Sequence, residues 1–414
     1  MSRRPTRTTP PRLGGLLLAL PLLIGVALLL PTTPTTTTTP APSASPNAST
    51  PVGMDPFDAF ILLEPYVPST PVDPASCTGD DSRLCIAQAY ADLAYTEGAV
   101  ESLRRLEGAI ADPSIGGACH LISHRIGAAA LIAAGDNVAA AVAAGADDGG
   151  RGGALCGSGY YHGILVGAEP ESGGVEAFAV RLHEICSAPD AWTVIDVGVN
   201  CVHAAGHALT SSSGYDLPAA LAACDIFTDA GPGGDQHDAC EHGAFMENAF
   251  SGVAMGSGWA RADDPSYPCG EFPGAVGAGC WFHVGEILTR AGVALPDVPA
   301  YCAKADPEGR SACLEGWSRD LGLAYPDDPP TIAALCPAAD IVFGAGGCLT
   351  RAAHEQALLW ADVTRPAAIC RAIVGSSTDC FVFVGEAIAV AGLPERCERL
   401  AGDERDACRR GATR

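Results

Sequence analysis

All 18 cysteines of the chain lie after Ser76, and from Cys186 onward they fall into pairs only 10 to 16 residues apart: Cys186 with Cys201, Cys224 with Cys240, Cys269 with Cys280, Cys302 with Cys313, Cys336 with Cys348, Cys370 with Cys380, and Cys397 with Cys408. An even count in so regular a spacing points to disulfides formed in an oxidising compartment, each closing a short local loop. Between the pairs run Ala-, Leu-, Val- and Ile-rich stretches with helical spacing, such as AFAVRLHEIC and PAALAAC. Inside the pairs sit helix breakers: SAPD, GPGGDQHD, DPEG and GAGG. The first cysteine of a pair is therefore expected to end one helix and the second to begin the next. Cys77, Cys85, Cys119 and Cys156 remain; they fit the pairs 77 with 85 and 119 with 156, with an exchange among the four left open.

A unit is thus a helix, a loop spanned by a disulfide and a second helix. Its second cysteine recurs at Cys119, Cys156, Cys201, Cys240, Cys280, Cys313, Cys348, Cys380 and Cys408, every 28 to 45 residues. The spacing predicts an all-α fold, a disulfide-stapled helical-hairpin repeat array forming a superhelix or a closed toroid, in which neighbouring hairpins bury a shared core. Hairpins of this kind resemble in architecture the Cys-rich relatives of the Sel1 repeat, although the Sel1 consensus around a Leu-Gly pair is not reproduced. The resemblance implies a superhelical array and no enzymatic activity.

The array is expected to occupy residues 75–414. Ahead of it, Arg3, Arg4, Arg7 and Arg12 precede an apolar run from Leu16 to Leu30, so residues 1–30 read as a signal peptide or a membrane anchor. Residues 31–74 begin PTTPTTTTTPAPSASPNASTP and read as a stalk and linker. Both readings place the array outside the cytoplasm, secreted or tethered, with membrane contact only through the N-terminal segment. The net charge is −24, and the arginines of the first segment are part of the positive side of that sum. Such an acidic chain is not expected to bind nucleic acid or anionic headgroups.

Histidines follow the same rhythm. Eight of the ten, His120, His124, His162, His203, His207, His242, His283 and His354, lie within eight residues after one of those nine cysteines. His162, His207, Glu286, His354 and Glu386 stand six places beyond the cysteine, and Glu247 seven; His203, His242 and His283 stand two or three beyond. Positions two and six, or three and seven, share one face of a helix, so a polar row is expected along one side of every second helix. Gly159, Gly163, Gly206, Gly243, Gly285, Gly316 and Gly385 interleave with it. A helix-interior glycine costs about 1 kcal/mol relative to alanine, which calls for a compensating close approach between helices.

With the cysteines oxidised, imidazole nitrogen and carboxylate oxygen remain as donors, a set that suits Zn, Cu, Fe or Mn. The candidate metal ligands are His120, His124, His162, His203, His207, His242, Glu247, His283 and Glu286. The pairs 120/124 and 203/207 each have the spacing that lets one helix offer two ligands to one ion, and His162, His203, His207, His242 and Glu247 form the densest expected shell. Enzyme signatures are missing: there is no HExxH, no Glu-x-x-His pair and no Gly-x-Ser-x-Gly elbow, and Lys304 is the sole lysine. The expected function is binding of a transition metal or small ligand, for sequestration or as cofactor of a reaction not identified. The alternative is a cell-surface scaffold that holds a peptide or protein partner on its inner face while the histidines serve structure.

Overall fold

A computed structural model describes Phe57, Ile61 and residues 64–79, 82–110 and 112–413 with short gaps in the last stretch. The apolar run and the Thr/Pro segment lie outside the described residues. Among the described residues the fold is helical apart from a two-residue ladder, Ala230–Gly231 against Gly234–Asp235. No helix among them is long and apolar enough to cross a membrane.

Ten helices carry the polar row or flank it. They are α1 (Ser82–Glu97), α2 (Cys119–Ala133), α3 (Gly159–Gly167), α4 (Ile195–Ser212), α5 (Gln236–Met255), α6 (Gly274–Arg290), α7 (Pro307–Ala324), α8 (Gly347–Trp360), α9 (Thr378–Val390) and α10 (Gly402–Gly411). Each packs on the next in chain order, α1 on α2, α2 on α3, and so on to α9 on α10. Local chemistry sets their ends. The α7 start combines Pro307 in the first turn with Asp306, whose Oδ1 accepts from Gly309 N at 2.7 Å, and α6 is followed by Gly292 at φ 86°, a conformation that stops a helix cheaply only with glycine.

Nine disulfides join consecutive cysteines along the chain: 77–85, 119–156, 186–201, 224–240, 269–280, 302–313, 336–348, 370–380 and 397–408. No cysteine is free. A short loop closed in this way contributes about 2–3 kcal/mol by restricting the unfolded chain. The helix boundaries differ from the expectation. Cys186, Cys224 and Cys302 do end helices, but Cys201, Cys240, Cys280 and Cys313 lie a turn or two inside α4, α5, α6 and α7 rather than at their starts. The residues before each of these cysteines, such as GAVGAG before Cys280, have enough alanine and small residues to join the helix, so the staple grips its flank.

The core is one cluster of small, branched and aromatic side chains with eight of the nine disulfides embedded in it, all but 77–85. Phe57, Ile61 and Tyr66, which composition places in the linker, are buried in the same cluster. Tyr66 O–H donates to Asp92 Oδ1 of α1 at 2.7 Å, and Arg125 of α2 donates to the Glu64 carbonyl at 2.6 Å. The row glycines sit where helices cross. A methyl group on Gly163 of α3 would overlap the His124 carbonyl of α2, and one on Gly243 of α5 would overlap the His203 carbonyl of α4, whose own Gly206 faces the Cys240 carbonyl. Glycine here lets two backbones meet, and that contact brings the histidines of adjacent helices into reach of one another.

Candidate metal centre

Five histidines from three consecutive helices converge. α2 supplies His120 and His124, one turn apart; α3 supplies His162; α4 supplies His203 and His207. His124 Nε2 lies 3.2 Å from His120 Nε2 and 3.2 Å from His162 Nδ1. Across His162, His207 Nε2 lies 3.2 Å from His203 Nε2. The His162 ring stacks on His207 and His203 with centroids 4.4 and 5.0 Å away. The donor atoms form two triads, His120/His124/His162 and His162/His203/His207, each with all its atoms within 4.8 Å of one another. Either can hold a metal ion: nitrogens about 2.0–2.1 Å from a tetrahedral ion lie about 3.3 Å apart.

Hydrogen bonds fix the faces these rings present. His120 Nδ1 stands 2.9 Å from the Cys156 carbonyl, which has no proton to give, so Nδ1 is the protonated nitrogen and the neutral ring turns its Nε2 lone pair inward. His207 Nδ1 donates to Glu247 Oε2 at 3.0 Å, with the same consequence for its Nε2. Tyr215 O–H donates to the other oxygen of Glu247 at 2.8 Å. Tyr215 adopts φ 64°, a strained conformation for a residue with a Cβ, and this bond helps to hold it there. A carboxylate or carbonyl behind a histidine is the usual way a protein aims the opposite nitrogen at a metal.

Burial keeps three of the rings neutral. Burial, then the neighbouring imidazoles, holds His124, His162 and His203 well below the ordinary histidine range. Burial works against the charge of Glu247, but the hydrogen bonds from His207, Ser251 and Tyr215 hold its carboxyl below the usual range. His162 is 1 % exposed, and its Nε2 is buried with no hydrogen-bond partner. An unpartnered buried nitrogen costs about 1–3 kcal/mol, so it calls for a ligand.

The remaining sequence candidates are placed differently. Glu247 backs His207, and the fourth and fifth imidazoles come from the α2 side of His162, not from α5, which carries the His242 of the expected shell. His242 of α5 packs with His283 of α6, centroids 5.5 Å apart, and the His283 ring is 6.4 Å from that of His203. His283 is buried with neither ring nitrogen partnered, yet among the described residues no third donor closes a triad around it. Glu286 belongs to a charge cluster: Arg319 of α7 lies 3.5 Å from Glu286 and 2.9 Å from Asp320. Arg319 stands six places after Cys313, the register that supplies His162 and His207, but a search for metal donors passes over a guanidinium. Tyr215 and the Cys156 carbonyl carry no comparable sequence signal. A third group, His237, Asp238 and Glu241, lies nearer the surface, where His237 Nε2 is 3.2 Å from Asp225 Oδ1.

Comparison with known proteins finds no matching family model, no matching curated protein and no matching solved structure. The chemistry of the site therefore stands on its own geometry.

Proposed function

We propose that this chain is an extracytoplasmic helical-repeat protein that binds a transition metal through the imidazoles of His120, His124, His162, His203 and His207, to sequester it or to hold it as the cofactor of a reaction. The observation that carries the reading is the pair of triads at ligand spacing, with His120 and His207 each pinned from behind. The nine disulfides support the oxidising compartment. The serial packing of α1 to α10 supports an array of stacked hairpins, and the Arg396–Glu107 ion pair at 3.0 Å links its last units to its first. Because the nearby carboxylate is turned onto His207, the donors that remain are nitrogen. Imidazole nitrogen favours Zn or Cu over Mn, which prefers oxygen.

The test is uptake by disulfide-intact, metal-free protein titrated with Zn(II) or Cu(II), with bound metal counted by elemental analysis. Retention through gel filtration is expected, with loss in a variant carrying His→Gln at all five positions and retention in His242→Gln/His283→Gln. Failure of wild type to retain Zn, Cu, Fe or Mn at micromolar concentration would overturn the reading and leave the scaffold alternative.

A further inference from the structure

We infer that the centre takes two metal ions, one in each triad, bridged by the His162 ring through its two nitrogens. The inference rests on the metal-binding reading above. The five donor atoms do not form one group within 4.8 Å; they form two groups that share only His162. Two nitrogens bound to the same ion can be at most about 4.2 Å apart, twice the bond length, so a single ion cannot engage all five rings as they stand. The two lone-pair directions of an imidazole diverge, so its two nitrogens cannot serve one ion. His162 Nδ1 faces the α2 pair at 3.2 Å from His124 Nε2, while its Nε2 is buried and unpartnered; the rings of His203 and His207 stack on His162 at 27° and 29°, so an ion in the second triad requires these rings to turn until their in-plane lone pairs converge with that of Nε2.

The triads match in construction. Each has one ring pinned through Nδ1, His120 by the Cys156 carbonyl and His207 by Glu247, and each has one partly exposed member, His120 or His203, at which an ion can enter. On binding, two nitrogen–metal bonds form at His162 and its one N–H bond breaks, the proton leaving to solvent. The imidazolate charge and that of Glu247 then offset part of the charge of two divalent ions in a buried site.

Copper(II) is the probe, loaded into the metal-free full chain. The expected result is two copper ions per chain by native mass spectrometry, with an electron paramagnetic resonance signal far below that of two isolated ions, because an imidazolate bridge couples the two spins antiferromagnetically. His120→Gln/His124→Gln and His203→Gln/His207→Gln should each keep one ion with an ordinary mononuclear signal. One copper per wild-type chain, or two with full uncoupled intensity, overturns the bridge while leaving metal binding intact; no copper at all overturns the metal reading itself. If a double variant fails to fold, wild-type stoichiometry and spin intensity decide the matter alone.

Discussion

The α2–α4 region and the α6–α8 region use the same helix register for opposite ends. In the first, the register holds His162, a neutral ring whose buried Nε2 has no hydrogen-bond partner, and His207, whose Nε2 faces only another imidazole, that of His203, at 3.2 Å. In the second it holds His354 on α8 and, on α6 and α7, Glu286 and Arg319, which answer one another: Arg319 binds Asp320 Oδ1 and Glu286 and lies over the Phe282 ring at 4.8 Å. Asp320 is pushed up to about 6 by burial, against the pull of Arg319, and burial also raises Glu355. The frame is shared, down to the close crossings, since a methyl group on Gly316 of α7 would overlap the Phe282 carbonyl of α6. Capacity for a ligand is thus decided by whether the side chains in the row satisfy each other, not by the frame that holds them.

The largest effect should come from filling a crossing. Gly163→Ala and Gly316→Ala both force a methyl group onto backbone, so each should cost at or above the upper end of the about 1–3 kcal/mol typical of overpacking, read by denaturant unfolding. Only Gly163→Ala moves His162 relative to His124, so only it should also weaken metal uptake in protein that remains folded. Equal metal loss in both would break the contrast between the regions.

A smaller and sharper test removes charge at constant shape. Glu247→Gln should weaken metal affinity about 10–100-fold, the usual cost of losing a carboxylate behind a ligating histidine. Glu286→Gln should leave affinity unchanged, since its partner is Arg319. Competition titration against a chelator of known affinity distinguishes the two, and parallel losses would mean that the charge cluster belongs to the metal site.

The smallest effect is in the pH dependence of the metal-free fold. His124, His162 and His203 have depressed values in the folded protein, so the unfolded chain binds more protons below about 6.5; their stabilising contribution is full above that pH and is lost as pH falls toward the folded values. Asp320, raised to about 6, has the opposite sign: its contribution is full below the unfolded carboxylate value and lost as pH rises through about 6. Unfolding free energy measured from pH 7 to pH 5 should fall in wild type, fall more steeply in Asp320→Asn, and flatten or reverse when the five histidines are glutamine. An unchanged slope in the five-glutamine variant would show that these rings are not held neutral by the fold.

Much of this was legible in the sequence because it is local. Disulfide pairing follows from cysteines 10 to 16 residues apart, and the helical class from apolar spacing between them. Counting from the cysteine found every ring of the centre, since each staple fixes the rotation of its helix. What counting could not give is which neighbours His162 meets. That depends on how α3 crosses α2 and α4, so His120 and His124 entered the centre where His242 was expected. The Cys156 carbonyl was invisible for a different reason: every residue has one, and only the fold decides which is aimed at a histidine.

The pairing of consecutive cysteines has a consequence for how the molecule is made. A chain that emerges N-terminus first into an oxidising space exposes its thiols in the order in which they must be joined, and no bond waits for a segment more than 37 residues away. An oxidant that simply links each new thiol to the last unpaired one yields the native set without reshuffling. Eighteen cysteines, which in an arbitrary order would present a large space of wrong isomers, here amount to nine successive two-way encounters, so production of the protein should depend on oxidation rate more than on disulfide isomerisation.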